Sequence, residues 1–171
     1  MKTSRQVKPV RRLAYAGAML SAALAFSYLE AVLPLSLAVP LPGVKLGLPN
    51  IAIIFILYRF GVKEAAAVSF VRIVAVSLLF GNPMTMAYSL AGGCLSLLVM
   101  ALLKKLNFLS TVGVSVAGGV FHNVGQILMA MLLLGTAELG YYLIVLAITG
   151  TVSGVFVGLC GGFAVRRVQI R

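Results

Sequence analysis

Arg72 lies in the middle of AAAVSFVRIVAVSLLF, residues 65–80, a stretch with no other charge. A charge at bilayer depth costs roughly 2.5–3.5 kcal/mol on insertion scales, and such residues usually face a bundle interior or a water-filled cavity. A guanidinium there fits an anion, a set of backbone carbonyls, or a route to the cytoplasmic surface by snorkelling, because side chains tilt toward a helix's N-terminus. A second polar set, His122-Asn123-x-x-Gln126, interrupts an apolar stretch rich in small residues, among them Gly118, Gly119 and Gly125. His122 and Gln126 share a helix face at i, i+4. Unsatisfied polar groups are costly in lipid, so this set reads as pocket lining, against the alternative of a packed histidine.

A rise of 1.5 Å per residue places Arg72 about 12 Å and His122 about 18 Å from the inner ends of their helices. Glu30 lies about 27 Å up the first helix on the same basis. The two levels of Arg72 and Glu30 differ by about 15 Å, which argues against a simple ion pair between them. An anion from outside the chain is the remaining candidate partner for Arg72. Asn50, Asn82, Thr85 and Tyr88 fall near outer helix ends, and Lys45 lies in an outer connection. The candidate substrate-binding set is therefore Arg72, His122, Asn123, Gln126, Asn50, Lys45, Asn82, Tyr88 and Glu30.

What is missing narrows the chemistry. The chain has no aspartate, so no Asp-rich pair is present to hold magnesium and a diphosphate. It has no GxxxxGK[ST] run and no metal-ligand spacing. No nucleophile, base and acid share one depth. The chain reads as non-catalytic and without a cofactor, and energy for any transport must come from a partner or a gradient.

The elements that position these residues follow from composition. The 171 residues are 61% hydrophobic and only 10% charged, against about 25% in soluble domains. Mean hydropathy is +1.11. Six apolar segments, about 12–33, 46–60, 64–80, 84–103, 110–134 and 140–165, predict a single all-α bundle of six transmembrane helices. The second and third are short, and Pro49-Asn50 makes the second a candidate for a kinked or partly re-entrant helix. The net charge of +11 reports orientation and not nucleic acid. Lys2, Arg5, Lys8, Arg11, Arg12, Arg59, Lys63, Lys104, Lys105, Arg166, Arg167 and Arg171 fall on alternate connections, so both termini are expected inside. The start is too long and apolar for a cleaved signal peptide and is expected to remain as the first helix after a basic tail, residues 1–11. The Pro- and Gly-containing connection 34–47 reads either as an ordered external lid or as a spacer.

Two ladders of small residues recur at every fourth position. Gly150, Gly154, Gly158 and Gly162 put one face of the last helix in reach of another backbone, which reads as packing within the bundle. Ala14, Ala18 and Ala22 do the same near the inner end of the first helix, for packing or for a helix of another subunit. Cys94 and Cys160 have no CxxC spacing and read as packing residues.

PGVKLGLPNI (42–51), RFGVKEA (59–65), VRIVAVSLLFGNP (71–83), SLAGGCLSLLVMALLKKL (89–106) and SVAGGVFHNVGQI (115–127) resemble the bacterial Gx-transporter family, whose members also go by the name heptaprenyl diphosphate synthase component I. The resemblance runs from about residue 10 to 160 and departs at Pro49, where alanine is expected. That family is similar to the substrate-binding S components of energy-coupling factor (ECF) transporters. The resemblance implies a pocket opening outward beneath the first external loop. It also implies a small-residue motif on the first helix, matched by Ala14, Ala18 and Ala22, that engages a transmembrane T subunit driven by two ATPases. It therefore implies a substrate-capture subunit in the bacterial cytoplasmic membrane for a small anionic or amphipathic molecule, such as a vitamin-like acid or a quinone or isoprenoid precursor. The rival reading is a non-catalytic structural subunit of a quinone or prenyl-diphosphate synthesis or electron-transfer assembly.

Overall fold

The structure, a computed structural model, describes residues 9–32 and 46–168. Six α-helices follow one another: α1 (Pro9–Val32), α2 (Pro49–Arg59), α3 (Val62–Phe80), α4 (Pro83–Leu106), α5 (Thr111–Leu134) and α6 (Leu143–Arg167). A short 3-10 helix, Ala137–Tyr142, leads from α5 into α6. The stretches covering α1, α4, α5 and α6 are long and apolar enough to cross a membrane. Their outward residues are apolar, among them Leu128, Leu132, Ile144, Val152 and Phe163, while serines and glycines lie inside. That is the distribution expected where lipid is the solvent.

Local chemistry sets the helix ends. Asn82 Oδ1 accepts from Thr85 N–H and Thr85 Oγ1 accepts from Asn82 N–H, both at 2.9 Å, closing a capping box ahead of Pro83. Ser110 caps α5 by accepting from Gly113 N–H at 3.2 Å. Gly135, at φ +65°, ends the same helix in the left-handed conformation that glycine adopts without strain.

The second helix departs from the expected span of 46–60. It has 11 residues, about 16 Å of rise and half of a ~30 Å hydrocarbon layer. Pro49 at its first turn delays its start, and Ala52 to Leu57 are buried without a break. It is thus a core helix inside the bundle, with Tyr15, Ala16, Met19 and Leu20 of α1 packed against the cluster it centres.

Cations at one end of the bundle bond to the carbonyls that helix ends leave open. Lys104 Nζ donates to Leu57 O and stands over the Tyr58 ring, 5.2 Å from its centroid. Arg12 reaches Phe60 O at 3.5 Å and pairs with Glu64 at 3.4 Å. Arg59 donates to Val165 O and Val168 O at the end of α6. Lys104→Met is expected to leave the Leu57 carbonyl unpaired and to lower stability by about 1–3 kcal/mol, read as the midpoint of thermal unfolding in detergent.

The glycine ladder lies on the α5–α6 contact. A Cβ at Gly150 would stand 2.9 Å from Gly119 O, at Gly154 2.6 Å from Val116 Cα and at Gly158 2.7 Å from Val112 Cα. At Gly162 the nearest atom is Thr111 Cβ at 3.7 Å, an ordinary contact. Gly92 of α4 and Gly125 of α5 meet in the same way, since a Cβ at Gly125 would lie 2.8 Å from Gly92 Cα. The alanine ladder faces the other way. Ala14 and Ala18 are exposed and Ala22 is half-buried, and a Cβ at the neighbouring Gly17 would meet nothing within 4 Å.

Candidate functional site

Five of the six helices turn one polar face toward a common cavity of about 220 Å³, and the first turn of the other, α2, completes it. From α3 come Arg72, Ile73, Val76, Ser77 and Phe80, a spacing that stays on one side of a 3.6-residue turn. From α5 come Gly119, His122, Asn123 and Gln126, again one face. Thr85 and Ser89 of α4 and Thr149 and Ser153 of α6 are i, i+4 pairs. Ser27 and Glu30 of α1, with Gly47, Pro49 and Asn50 at the start of α2, complete the wall.

Of the candidate residues, Arg72, His122, Asn123, Gln126, Asn50 and Glu30 line this cavity. Asn82 and Tyr88 do not. Asn82 Oδ1 caps α4, and Tyr88 OH donates to Met84 Sδ at 3.2 Å. Lys45 and most of the 34–47 connection lie outside the described residues.

Arg72 faces the cavity, and its Nε–H is buried with no hydrogen-bond partner. A charged donor shielded from water and left unpaired costs more than the ~1–3 kcal/mol of a neutral one, so the position fits an acceptor supplied from outside the chain. Glu30 corrects the reading based on depth. It lines the same cavity, and its carboxylate acts electrostatically on Arg72. Backbone levels gave a separation along the bundle axis but did not show that both groups line one cavity. Glu30 Oε1 also accepts from Leu48 N–H at 2.8 Å, so the carboxylate sits at the positive N-terminus of α2.

Asn123 has a structural task as well. Its Nδ2 donates to Leu146 O at 2.6 Å and ties α5 to α6. Asn123→Ala is expected to lower thermal stability by about 0.5–1.5 kcal/mol, the net of one cross-helix hydrogen bond, since Leu146 O keeps the Thr149 hydroxyl as a donor. Asn123→Asp, which keeps the shape but loses the donor, is expected to do the same in the same melt.

Sequence reading placed Thr85 near an outer helix end without including it in the candidate set, and missed the other hydroxyl groups of the wall, Ser27, Ser77, Ser89, Thr149 and Ser153. A usable signal existed in the i, i+4 spacing of Thr85 with Ser89 and of Thr149 with Ser153 within apolar helices.

An all-α bundle that turns apolar side chains outward and has four helical stretches long enough to cross a membrane is a multi-pass membrane protein, here with a polar internal cavity. The chain belongs to the family described as heptaprenyl diphosphate synthase component I, which residues 19–164 match. Searches of curated proteins and of solved structures returned no match.

Proposed function

We propose that the chain is the substrate-capturing subunit of an ATP-driven uptake transporter of the ECF type, taking a small anionic molecule from outside a bacterial cytoplasmic membrane. The observation that carries this reading is the buried, unpartnered Nε–H of Arg72 on the wall of a polar cavity. The basic ends of the helices face the cytoplasm, as the positive-inside rule requires, and the cavity mouth beside Glu30, Gly47 and Gly81 then opens outward. The subunit is not an enzyme. It binds and presents, while a T subunit and two ATPases supply motion and energy.

The exposed face of Ala14 and Ala18 supports docking of a partner helix, because small side chains let two backbones approach in lipid. Ala18→Leu is expected to leave the melting behaviour of the isolated chain unchanged and to abolish recovery of the T and ATPase subunits on affinity purification.

The family's name carries the second reading, a membrane component of prenyl-diphosphate synthesis. The same purification separates the two. Recovery of ATPases supports the transporter, and recovery of a prenyl synthase without ATPases sinks it.

A further inference from the structure

Three hydroxyl protons of the cavity wall are already committed to the backbone. Ser27 Oγ–H donates to Ala23 O at 2.8 Å, Thr149 Oγ1–H to Leu146 O at 3.1 Å and Ser153 Oγ–H to Gly150 O at 3.2 Å. A hydroxyl has one proton and two lone pairs, so with its proton directed into the helix it offers a ligand acceptors only. Asn123 gives one amide N–H to Leu146 O and keeps its carbonyl oxygen as an acceptor and its second N–H as a donor. Arg72, from α3, is the reverse of the hydroxyls: a guanidinium has donors and no acceptor, and here Nε–H has no partner. Arg72 on α3 therefore offers the cavity donors, and Thr149 and Ser153 on α6 offer it acceptors.

We infer that the ligand is a compact two-ended acid. Its carboxylate or other anionic acceptor group lies against Arg72, and hydroxyl, amine or amide N–H donors at its other end meet Thr149 and Ser153. This rests on the cavity being the ligand site proposed above, and it narrows that reading. A donor-free anion would pair with Arg72 but leave the acceptor wall facing nothing that can bond to it. Sites that hydrogen-bond a substrate's OH or NH discriminate strongly against analogues lacking it, because their own groups are left unpaired. Size points the same way. At about 220 Å³ the cavity lies below the ~300–1,000 Å³ of pockets for drug-sized ligands, too little for a long isoprenoid chain.

The test uses the full chain in detergent and matched pairs of small acids, read by isothermal titration. 4-Hydroxybenzoate is compared with 4-methoxybenzoate and 4-aminobenzoate with 4-dimethylaminobenzoate, and isopentenyl diphosphate serves as the donor-free anion. Each is titrated into the unmodified chain, Arg72→Ala and the double variant Thr149→Val/Ser153→Ala. The inference predicts that capping the donor weakens binding roughly 3- to 10-fold, the range set by one net hydrogen bond. In the double variant that preference disappears while the capped acids keep their affinity. Equal affinity of free and capped acids, persistence of the preference in the double variant, or a preference for isopentenyl diphosphate over the donor-bearing acids overturns the inference. If binding in those cases still needs Arg72, the proposed function stands. Absence of binding by any acid, or binding that Arg72→Ala leaves unchanged, removes both. The free-versus-capped comparison is made on the unmodified chain, so it decides even if the double variant fails to fold.

Discussion

Arg72→Ala is expected to lower affinity for a small acid by roughly 10- to 100-fold, the loss of a charge-assisted hydrogen bond of about 1.5–3 kcal/mol. The same variant is expected to melt at an equal or higher temperature in the absence of ligand. A buried guanidinium with an unpartnered Nε–H is a burden that a methyl group removes, and apolar replacements of buried charges are often neutral or stabilising. Lower affinity without lower stability is the signature that separates ligand contact from a structural role. If Arg72 held helices together, the empty variant would lose stability. Arg72→Lys is expected to fall between, because an ammonium supplies charge without the planar geometry of the guanidinium. Isothermal titration and thermal unfolding on one preparation check both halves.

Gly154→Val is expected to be the most damaging substitution in the glycine ladder. Its first added carbon would lie 2.6 Å from Val116 Cα and 3.0 Å from Ser115 O, both backbone atoms that cannot turn aside. α5 and α6 must separate, at a cost of about 1–3 kcal/mol for overpacking. The effect reaches the cavity, because Thr149 and Ser153 flank the same contact and the Asn123 bond to Leu146 crosses it. Ligand affinity should therefore fall together with stability, the opposite of the Arg72→Ala pattern. Gly162→Ala is the control, since its added carbon would meet Thr111 at ordinary van der Waals distance. Unfolding midpoints of the two variants side by side make the comparison, and equal midpoints would contradict the assigned packing.

Most of the helical scaffold was legible because lipid imposes long apolar runs and because capping residues punctuate them. Asn82-Pro83, Ser110 and Gly135 mark ends that the structure places within a few residues of expectation. The second helix was read as longer than it is. Hydropathy alone does not separate a lipid-crossing helix from a fully buried short one, and Ile53 to Leu57 would suit either. At the site, Arg72 and the His122–Gln126 face were visible because charge and amides are rare in such helices. Thr149, Ser153 and Ser27 were not, because a hydroxyl that bonds to its own helix is tolerated in lipid and leaves no anomaly in the sequence. Asn82 and Tyr88 were included on depth alone. Depth fixes a level but not which residues line a cavity, and neither of these two lines the one around Arg72.

The central claim is that the cavity around Arg72 captures a small acid. Native mass spectrometry of the full chain, purified from bacterial membranes in mild detergent beside Arg72→Ala, tests it most directly. The prediction is a compact acidic molecule bound at one copy per chain and missing from the Arg72→Ala spectrum. The same bound species at the same occupancy in both preparations, or a prenyl diphosphate in place of a small acid, would contradict it.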